Sequence, residues 1–218
     1  MHAYATNASE RKSTPIWLAF FAIVASLILS SGLQLTKLQA PWWLDSPSVM
    51  GFYGLIYQWF DKYLWCQQFK FISFSSIPNL QGTWVGVIHS SYSGETNVPD
   101  TTTDIPDVIL YVRQTWTQLN VRLTTQNSSS YSIMGTVNTH KSSEPCLKYE
   151  YMNEPSALSI DTMNAHRGTA NLQLSPDGQE LAGDYFTGRG RQNIGKMEFK
   201  RVSREYLTRV EALRRVTQ

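Results

Sequence analysis

The segment GDYFTGRGR (residues 183–191) combines two arginines with aromatic and hydroxyl side chains at the end of a predicted strand. Counting by twos places Tyr185, Thr187 and Arg189 on the same face as the apolar Leu181. A face expected to be apolar therefore ends in two hydrogen-bonding groups and a cation. Because a guanidinium group binds phosphate or carboxylate through paired hydrogen bonds, this end of the strand is predicted to meet an anion.

The same alternation predicts more inward-facing polar and aromatic residues at this level, namely Tyr131, Tyr151, Asn153, His166 and Arg191. Tyrosine and histidine rings offer stacking faces for nucleic-acid bases. Rings and two arginines together favour a small nucleotide with two phosphates over a fatty acid, which needs one cation and an aliphatic well. The alternatives are that the arginines are solvated turn residues and that the histidine is structural. A single β-bulge would also reverse the parity.

Eight short β-rich runs after Pro78 position these residues, with hairpin-sized gaps such as TWT, SPDG and GRGR between them. Eight sequential antiparallel strands predict an all-β, up-and-down, lipocalin-like barrel over residues 77–202, whose interior can hold one small ligand. A C-terminal helix is predicted over residues 203–218, with Tyr206, Leu207, Val210 and Leu213 on one face. The predicted strands are Gly82–His89, Asp107–Gln114, Gln118–Thr125, Tyr131–Asn138, Cys146–Asn153, His166–Leu174, Glu180–Thr187 and Asn193–Val202.

One end of this barrel is predicted to be closed. Trp84 in LQGTWVG on the first strand and Arg201 near the end of the last resemble the base of lipocalin-like barrels, with the cation over the indole face. Trp84 as a plain core residue is the alternative. In up-and-down order the polar residues named above then collect at the opposite rim, where the inward Gly168 and Gly183 are expected to leave room for a guest.

The N-terminal third is apolar. Residues 17–35 carry no charge and reach the roughly 20 residues that cross a bilayer core. A weaker apolar run starts at Val49. We predict a transmembrane helical hairpin over residues 17–72, with helices at about 17–35 and 49–66, after a cytoplasmic leader, residues 1–16. A signal peptide before a secreted domain, or one spanning helix followed by an interfacial segment, are the alternatives.

Charges at the ends of the hairpin predict its orientation. Arg11, Lys12, Lys62 and Lys70 lie at the outer ends, and only Lys37 lies in the connection. Basic residues favour the cytoplasmic side, so we predict a multi-pass inner-membrane protein whose barrel faces the cytoplasm.

The second helix carries polar residues that could act in assembly. On an α-helix Gly54, Gln58 and Asp61 share one stripe with Trp65. One interpretation places this stripe between the helices of an oligomer. The other places Asp61 at the interface, solvated, because an acid at mid-bilayer costs about 2.5–3.5 kcal/mol.

Composition restricts the function. Nineteen basic residues against seventeen acidic ones give no warrant for binding DNA or RNA. Two separated cysteines form neither a disulfide framework nor a metal cluster. Neither a P-loop nor a nucleophile elbow nor a carboxylate pair is visible, so we predict no enzyme, no catalytic residue, no cofactor and no metal.

The order and spacing of several motifs carry a resemblance. FDKYLW, LQGTWVGVI, LKYEYMNEP, HRGTANLQL, LAGDYFTGRGRQNIG and MEFKR follow a membrane segment, and together they resemble the membrane-anchored β-barrel effectors of bacterial CBASS anti-phage operons, from about Trp17 to Arg201. The resemblance implies that the barrel senses a cyclic oligonucleotide, such as a cyclic dinucleotide, made by a companion nucleotidyltransferase (CD-NTase) after phage infection. It also implies homo-oligomerisation among inner-membrane lipids, membrane disruption and cell death.

Two other functions stay open at this stage. The first is a membrane-anchored, lipocalin-like carrier of a lipid or small anion that faces the periplasm. The second is a membrane-bound hydrolase that acts on a nucleotide.

Overall fold

The computed structural model describes residues 1–35, 48–69, 72–91, 103–139, 144–159, 164–188 and 193–216. They belong to two compact units, Met1–Asn7 with Ile77–Gln218, and Ala8–Ser76. In chain order the elements are β1 (His2–Ala3), α1 (Glu10–Leu35), α2 (Ser48–Trp59), a π-helical turn (Phe60–Leu64), β2 (Gln68–Phe69), β3 (Ile72–Ser73), β4 (Gly82–Ser90), β5 (Thr103–Gln114), β6 (Gln118–Thr124), β7 (Ser128–Asn138), β8 (Cys146–Pro155), a 3-10 turn (Ala157–Ser159), β9 (His166–Leu174), β10 (Glu180–Thr187), β11 (Ile194–Ser203) and α3 (Arg209–Val216).

Strands β4 to β11 form a closed antiparallel barrel. Each strand pairs with its neighbours in sequence, and β11 pairs with β4. The predicted eight-stranded up-and-down barrel is therefore confirmed. Short turns explain the topology, because TWT between β5 and β6 and SPDG between β9 and β10 allow only antiparallel neighbours.

The base of the barrel is closed by the predicted pair. Trp84 is fully buried, and the Cζ of Arg201 lies 4.3 Å from the centroid of its ring. The Trp84 indole donates to the carbonyl oxygen of Leu80 at 3.0 Å, and the Arg201 guanidinium donates to that of Asn79 at 2.9 Å. Burial, together with nearby Arg204, lowers the pKa of Arg201 to about 10.

Two irregularities alter the predicted alternation. In β5 the partner of Gly86 is Val108 while that of Ile88 is Ile105. The intervening Asp107 adopts φ 55°, and the strand continues beyond it to Thr103 instead of starting there.

In β7, Ser132 pairs with Tyr151 and Met134 pairs with Glu150, so Ile133 is an extra residue that reverses the faces upstream of it. Ser130 and Ser132 are buried, and Tyr131 is 43% exposed. The prediction that Tyr131 faces the interior is therefore wrong.

The first residues of the chain belong to the barrel unit, although the sequence predicts a separate leader over residues 1–16. His2 and Ala3 pair with Leu119 and Gln118 of β6, and Ala5 bridges in parallel to Thr136 of β7. The segment lies where β6 and β7 diverge, because those two strands pair directly only from Arg122 to Thr124. The N-terminal strand thus fills the gap between β6 and β7 in the wall of the barrel.

Helix α3 covers the outside of β4 and β5. Ala212 packs with Val85 and Ile109, and Leu207 and Leu213 lie around them. Thr208 and Glu211 cap the helix reciprocally, since the carboxylate of Glu211 accepts from the Thr208 N–H at 2.8 Å and the Thr208 hydroxyl accepts from the Glu211 N–H. The helix starts at Arg209 rather than near Ser203, and Val210, predicted on the packed face, is 60% exposed.

The described part of the second unit is mainly helical, with the short strands β2 and β3 after its helices. Among the described residues α1 is the one helix long and apolar enough to cross a membrane, over Glu10–Leu33. It begins at Glu10, seven residues before the predicted start. Helix α2 continues directly into the π-helical turn, and together they span residues 48–64, close to the predicted helix 49–66. This length is below the roughly 20 residues expected for a straight span.

The π-helical turn also separates Trp65 from the predicted polar stripe. The N–H of Trp65 donates to the carbonyl oxygen of Phe60, five residues earlier, which adds a residue to the turn. Gln58 is exposed, Asp61 is half-buried and Trp65 is buried. The stripe of Gly54, Gln58 and Asp61 does not continue to Trp65, because the π-helical turn changes the α-helical spacing between Asp61 and Trp65.

We predict that Tyr4→Ala weakens the barrel by about 3 kcal/mol, because Tyr4 of the N-terminal segment is 6% exposed and removing a buried aromatic side chain leaves a cavity. Thermal unfolding of the full chain in detergent should show a midpoint lowered by about 5–10 °C. Tyr131→Ala is the matched control, since that ring is 43% exposed and its loss should change the midpoint little. Equal effects of the two substitutions would contradict the assigned role of the N-terminal strand.

Candidate functional site

A cavity of about 220 Å³ opens at the end of the barrel opposite Trp84. Its described lining holds hydroxyl, amide and imidazole groups toward the rim, and larger rings and aliphatic groups around and below them. The lining residues are Ile88, Ser90, Ile105, Leu123, Thr125, Asn127, Ser128, Ser130, Tyr149, Tyr151, Asn153, His166, Tyr185, Thr187, Asn193 and Met197.

Five of the eight predicted ligand contacts meet in this cavity, namely Tyr151, Asn153, His166, Tyr185 and Thr187. They come from β8, β9 and β10, whose alternation is regular in this region. Tyr131 is not among the lining residues, because of the bulge at Ile133. Arg189 and Arg191 lie outside the described residues.

Two cavity tyrosines lie against glycines of the neighbouring strand. Tyr151 pairs with Gly168, and a Cβ at that glycine would collide with the tyrosine Cζ and hydroxyl. Tyr185 pairs with Gly195, where a Cβ would lie 2.5 Å from the ring. The space beside Gly168 is therefore filled by a ring, which corrects the expectation that this glycine leaves room for a guest.

At Gly183 the absence of a side chain has a different structural reason. A Cβ there would collide with the backbone carbonyl oxygen of Asn171 on β9, so the glycine permits close approach of two strands. The room in the cavity is not made by Gly183.

Hydrogen bonds hold the rim groups in place. The Tyr185 hydroxyl donates to the Ser90 hydroxyl at 2.7 Å, which joins β10 to β4 across the interior. The His166 Nδ1–H donates to the carbonyl oxygen of Asn164 at 2.9 Å, which leaves Nε2 as an acceptor in the neutral ring. This arrangement suits recognition of a donor on a ligand.

The ends of the β10–β11 hairpin are fixed on both sides of residues 189–192. The backbone N–H of Thr187 donates to the carbonyl oxygen of Asn193 at 2.8 Å, and the N–H of Asn193 donates to the Thr187 hydroxyl at 2.7 Å. Both residues line the cavity, so the hairpin leaves from and returns to its rim.

Sequence reasoning missed the contribution of β7 and its turn. Ser130 lines the cavity only because the bulge reverses the alternation, and strand propensity does not locate a bulge. Thr125, Asn127 and Ser128 form a turn in which the Thr125 hydroxyl accepts from the N–H groups of both others. The up-and-down order already places the β6–β7 turn at the rim, and that signal could have identified these residues.

The described lining carries no aspartate, glutamate, lysine or arginine. Tyr149 and Tyr151 lie 6.1 Å apart between ring centroids, and burial raises the pKa of Tyr149 far above its usual range. Tyr149 is therefore a neutral ring, and Tyr151 and Tyr185 add further rings and hydroxyl groups to the lining. The arrangement suits an aromatic ligand that hydrogen-bonds at its edges.

Within the part of the chain that the structure describes, no cluster of histidine, cysteine or acidic side chains has the geometry of a metal site. Burial raises the pKa of the Cys146 thiol, which disfavours the nucleophilic thiolate.

Two family models and one relative match this chain. Residues 75–201 match the family described as "Cap15, cyclic dinucleotide receptor domain", and residues 12–66 match that described as "Cap15, TM helices". A relative, CD-NTase-associated protein 15 of Yersinia aleksiciae, is 30% identical over 199 residues, which cover 84% of this chain and 89% of the relative. Every described cavity residue, from Ile88 to Met197, falls within the first match.

Gly168→Ala is predicted to displace the Tyr151 ring and to destabilise the barrel by about 1–3 kcal/mol, because the new Cβ would also collide with the backbone carbonyl oxygen of Phe186. Thermal unfolding and the near-ultraviolet circular dichroism of the tyrosines measure the two effects. Gly188→Ala is the control, since its Cβ would lie 3.2 Å from the carbonyl oxygen of Arg167 and needs only a small shift. An unchanged tyrosine spectrum in Gly168→Ala would contradict the assigned packing.

Proposed function

The chain belongs to the Cap15 family of CBASS effectors, and from this premise we propose that the cavity at the mouth of its barrel binds a cyclic dinucleotide through Tyr151, Asn153, His166, Tyr185 and Thr187, with Arg189 and Arg191 on the phosphates. The observation that carries the proposal is the gathering of the first five residues around one open cavity.

The rings would bind the bases. Stacking of a base on an aromatic side chain contributes about 1–3 kcal/mol, and Tyr151 and Tyr185 are each held against a glycine. Asn153 and Thr187 offer hydrogen-bonding groups for base edges or sugar. A carrier of a fatty acid would need a mainly aliphatic well, whereas this lining has hydroxyl and amide groups at its rim.

The size of the cavity favours partial entry of the ligand. Pockets for drug-sized ligands usually measure about 300–1,000 Å³, and this cavity measures about 220 Å³. We expect one nucleotide half inside the barrel and the remainder at the mouth, beside the β10–β11 hairpin. This would bring the phosphates to Arg189 and Arg191.

Ligand binding would then change the assembly of the protein in the membrane. A ligand shifts a population by its differential affinity for two states, and here the favoured state would be a homo-oligomer in the inner membrane with the barrel in the cytoplasm. Gly54, Gln58 and Asp61 are the proposed contacts between copies; a Cβ at Gly54 would meet open space, and Gln58 is exposed. Membrane disruption and death of the infected cell would follow, with the companion CD-NTase as the source of the ligand.

The double substitution Arg189→Glu with Arg191→Glu is predicted to weaken binding of a cyclic dinucleotide at least about 10-fold, because each lost charged hydrogen bond is worth about 1.5–3 kcal/mol. Calorimetric titration of the full chain in detergent, with a panel of cyclic di- and trinucleotides, measures this. The full chain is required because the N-terminal segment belongs to the barrel unit.

Arg167→Glu is the matched control for this titration. Arg167 is exposed on β9, next to His166 at the same end of the barrel, and faces away from the cavity. Equal losses in both variants would contradict specific phosphate contacts. A wild-type chain that binds no member of the panel would overturn the proposed function.

Asp61→Asn is predicted to reduce ligand-dependent oligomers severalfold while leaving ligand affinity unchanged, because it removes a polar contact in the helical unit and leaves the barrel intact. Crosslinking of the full chain in lipid nanodiscs, with and without cyclic dinucleotide, measures the oligomers. Lys62→Gln is the neighbouring control, since Lys62 is exposed. Unchanged oligomers in Asp61→Asn would remove this residue from the assembly contact.

A further inference from the structure

One side of the barrel carries a dense group of arginines that the cavity does not use. We call it the arginine patch; it lies on α3, on the segment before α3, and on the outer faces of β5 and β6. All its members except the half-buried Arg209 are exposed. The patch consists of Arg113, Arg122, Arg204, Arg209, Arg214 and Arg215.

An aromatic contact, a strand pairing and a hydrogen bond fix the places of Arg113, Arg122 and Arg215 on this surface. The Cζ of Arg113 lies 4.5 Å from the ring centroid of Tyr206, which stacks on Tyr111 at 5.8 Å. Tyr111 pairs across the sheet with Arg122. The guanidinium of Arg215 donates to the carbonyl oxygen of Val202 at 3.4 Å, at the end of β11.

The positive charge of the patch is incompletely balanced by neighbouring acids. The nearest carboxylates along the chain are Glu205 and Glu211, and Glu211 keeps its charge beside Arg214 and Arg215 while it caps the helix, so two acids face the six arginines of the patch. On the β10–β11 face, in contrast, Lys200 lies 3.2 Å from Glu180, and Asp184 pairs across the sheet with Lys196. The whole chain has a net charge of only +2, so the excess is local.

The patch lies toward the end of the barrel from which the chain leaves. The Asn7 side chain accepts from the backbone N–H of Thr139, just beyond the base end of β7. The carbonyl oxygen of Pro78 accepts from Gln114, the last residue of β5, also at the base. The apolar helix α1 starts at Glu10, three residues after Asn7, so only a short stretch of chain links this end of the barrel to the candidate membrane span.

We propose that the arginine patch binds the headgroups of anionic phospholipids. Arginine suits phosphate because its planar fork donates two parallel hydrogen bonds, and juxtamembrane clusters of basic residues are attracted to anionic leaflets within a Debye length. The short link to α1 keeps the local lipid concentration high, and the unbalanced charge provides the complementarity. The contact orients the mouth of the barrel without occupying the cavity.

The test uses the full chain, with Cys66→Ser and Cys146→Ser, in nanodiscs that contain a fixed fraction of lipid with a nitroxide-labelled headgroup. A fluorophore is attached at Val210→Cys, on the exposed surface of α3, or at Gln173→Cys, exposed at the base end of β9 on the opposite wall. The bulk lipid is either phosphatidylcholine alone or phosphatidylcholine with phosphatidylglycerol.

We expect quenching at position 210 to be at least twofold stronger with phosphatidylglycerol than without it. Raising the salt concentration from 50 to 500 mM should abolish the difference, and position 173 should not respond. Arg214→Glu with Arg215→Glu should lose the response, whereas Arg214→Lys with Arg215→Lys should keep most of it, which excludes misfolding as the cause.

Three results would overturn the proposal: equal quenching in the two lipids, equal responses at positions 210 and 173, or a fluorophore at position 210 that is already shielded in detergent alone. The last result would indicate that a second copy of the chain covers α3. Ligand is absent throughout, so the outcome does not depend on the proposed function of the cavity.

Discussion

The packing of interior rings against glycines is the constraint on which the site depends. An eight-stranded barrel is only wide enough for its side chains to fill it, or to hold one small ligand. Tyr151 lies on Gly168 and Tyr185 on Gly195, each across one pair of strands, and Phe199 pairs with Gly86 in the same way lower in the barrel. Because these rings are packed against the wall, the axis of the barrel stays open at the mouth. The same packing restricts each tyrosine side chain to one rotamer. A Cβ at Gly168 would collide with the Tyr151 ring, and one at Gly195 with the Tyr185 ring and the backbone carbonyl oxygen of His89.

The cavity and the base use opposite chemistry within one set of strands. At the base, Arg201 covers the face of Trp84 and donates to the Asn79 carbonyl oxygen, so a cation and a buried indole seal the end. At the mouth, hydroxyl, amide and imidazole groups line an open cavity. Two further structural elements lie outside the matched family ranges, which are residues 12–66 and 75–201. The N-terminal strand joins β6 to β7 where they diverge, and α3 covers the outside of β4 and β5.

The strands were predictable because each carries a period-two pattern between recognisable turns, and β8 illustrates this. Leu147, Tyr149, Tyr151 and Asn153 alternate with Lys148 and Glu150, and the structure buries the first four. Alternation fails where one residue is added. The bulge at Ile133 turns Tyr131 outward and Ser130 inward, and the π-helical turn after Trp59 separates Gln58 from Trp65. The N-terminal strand could not be recognised, because two paired residues are too few for a periodic pattern. The role of Gly168 was misread, because sequence shows the missing side chain but not which neighbour fills its place.

The most direct test of the account is a crystal structure of the full chain with a bound cyclic dinucleotide. We expect electron density for one nucleotide half inside the mouth, with a base against the rings of Tyr151 or Tyr185 and hydrogen bonds from the ligand to the Asn153 amide or to His166 Nε2. Ligand density outside the barrel, with the cavity lined as before and filled only by water, would contradict it.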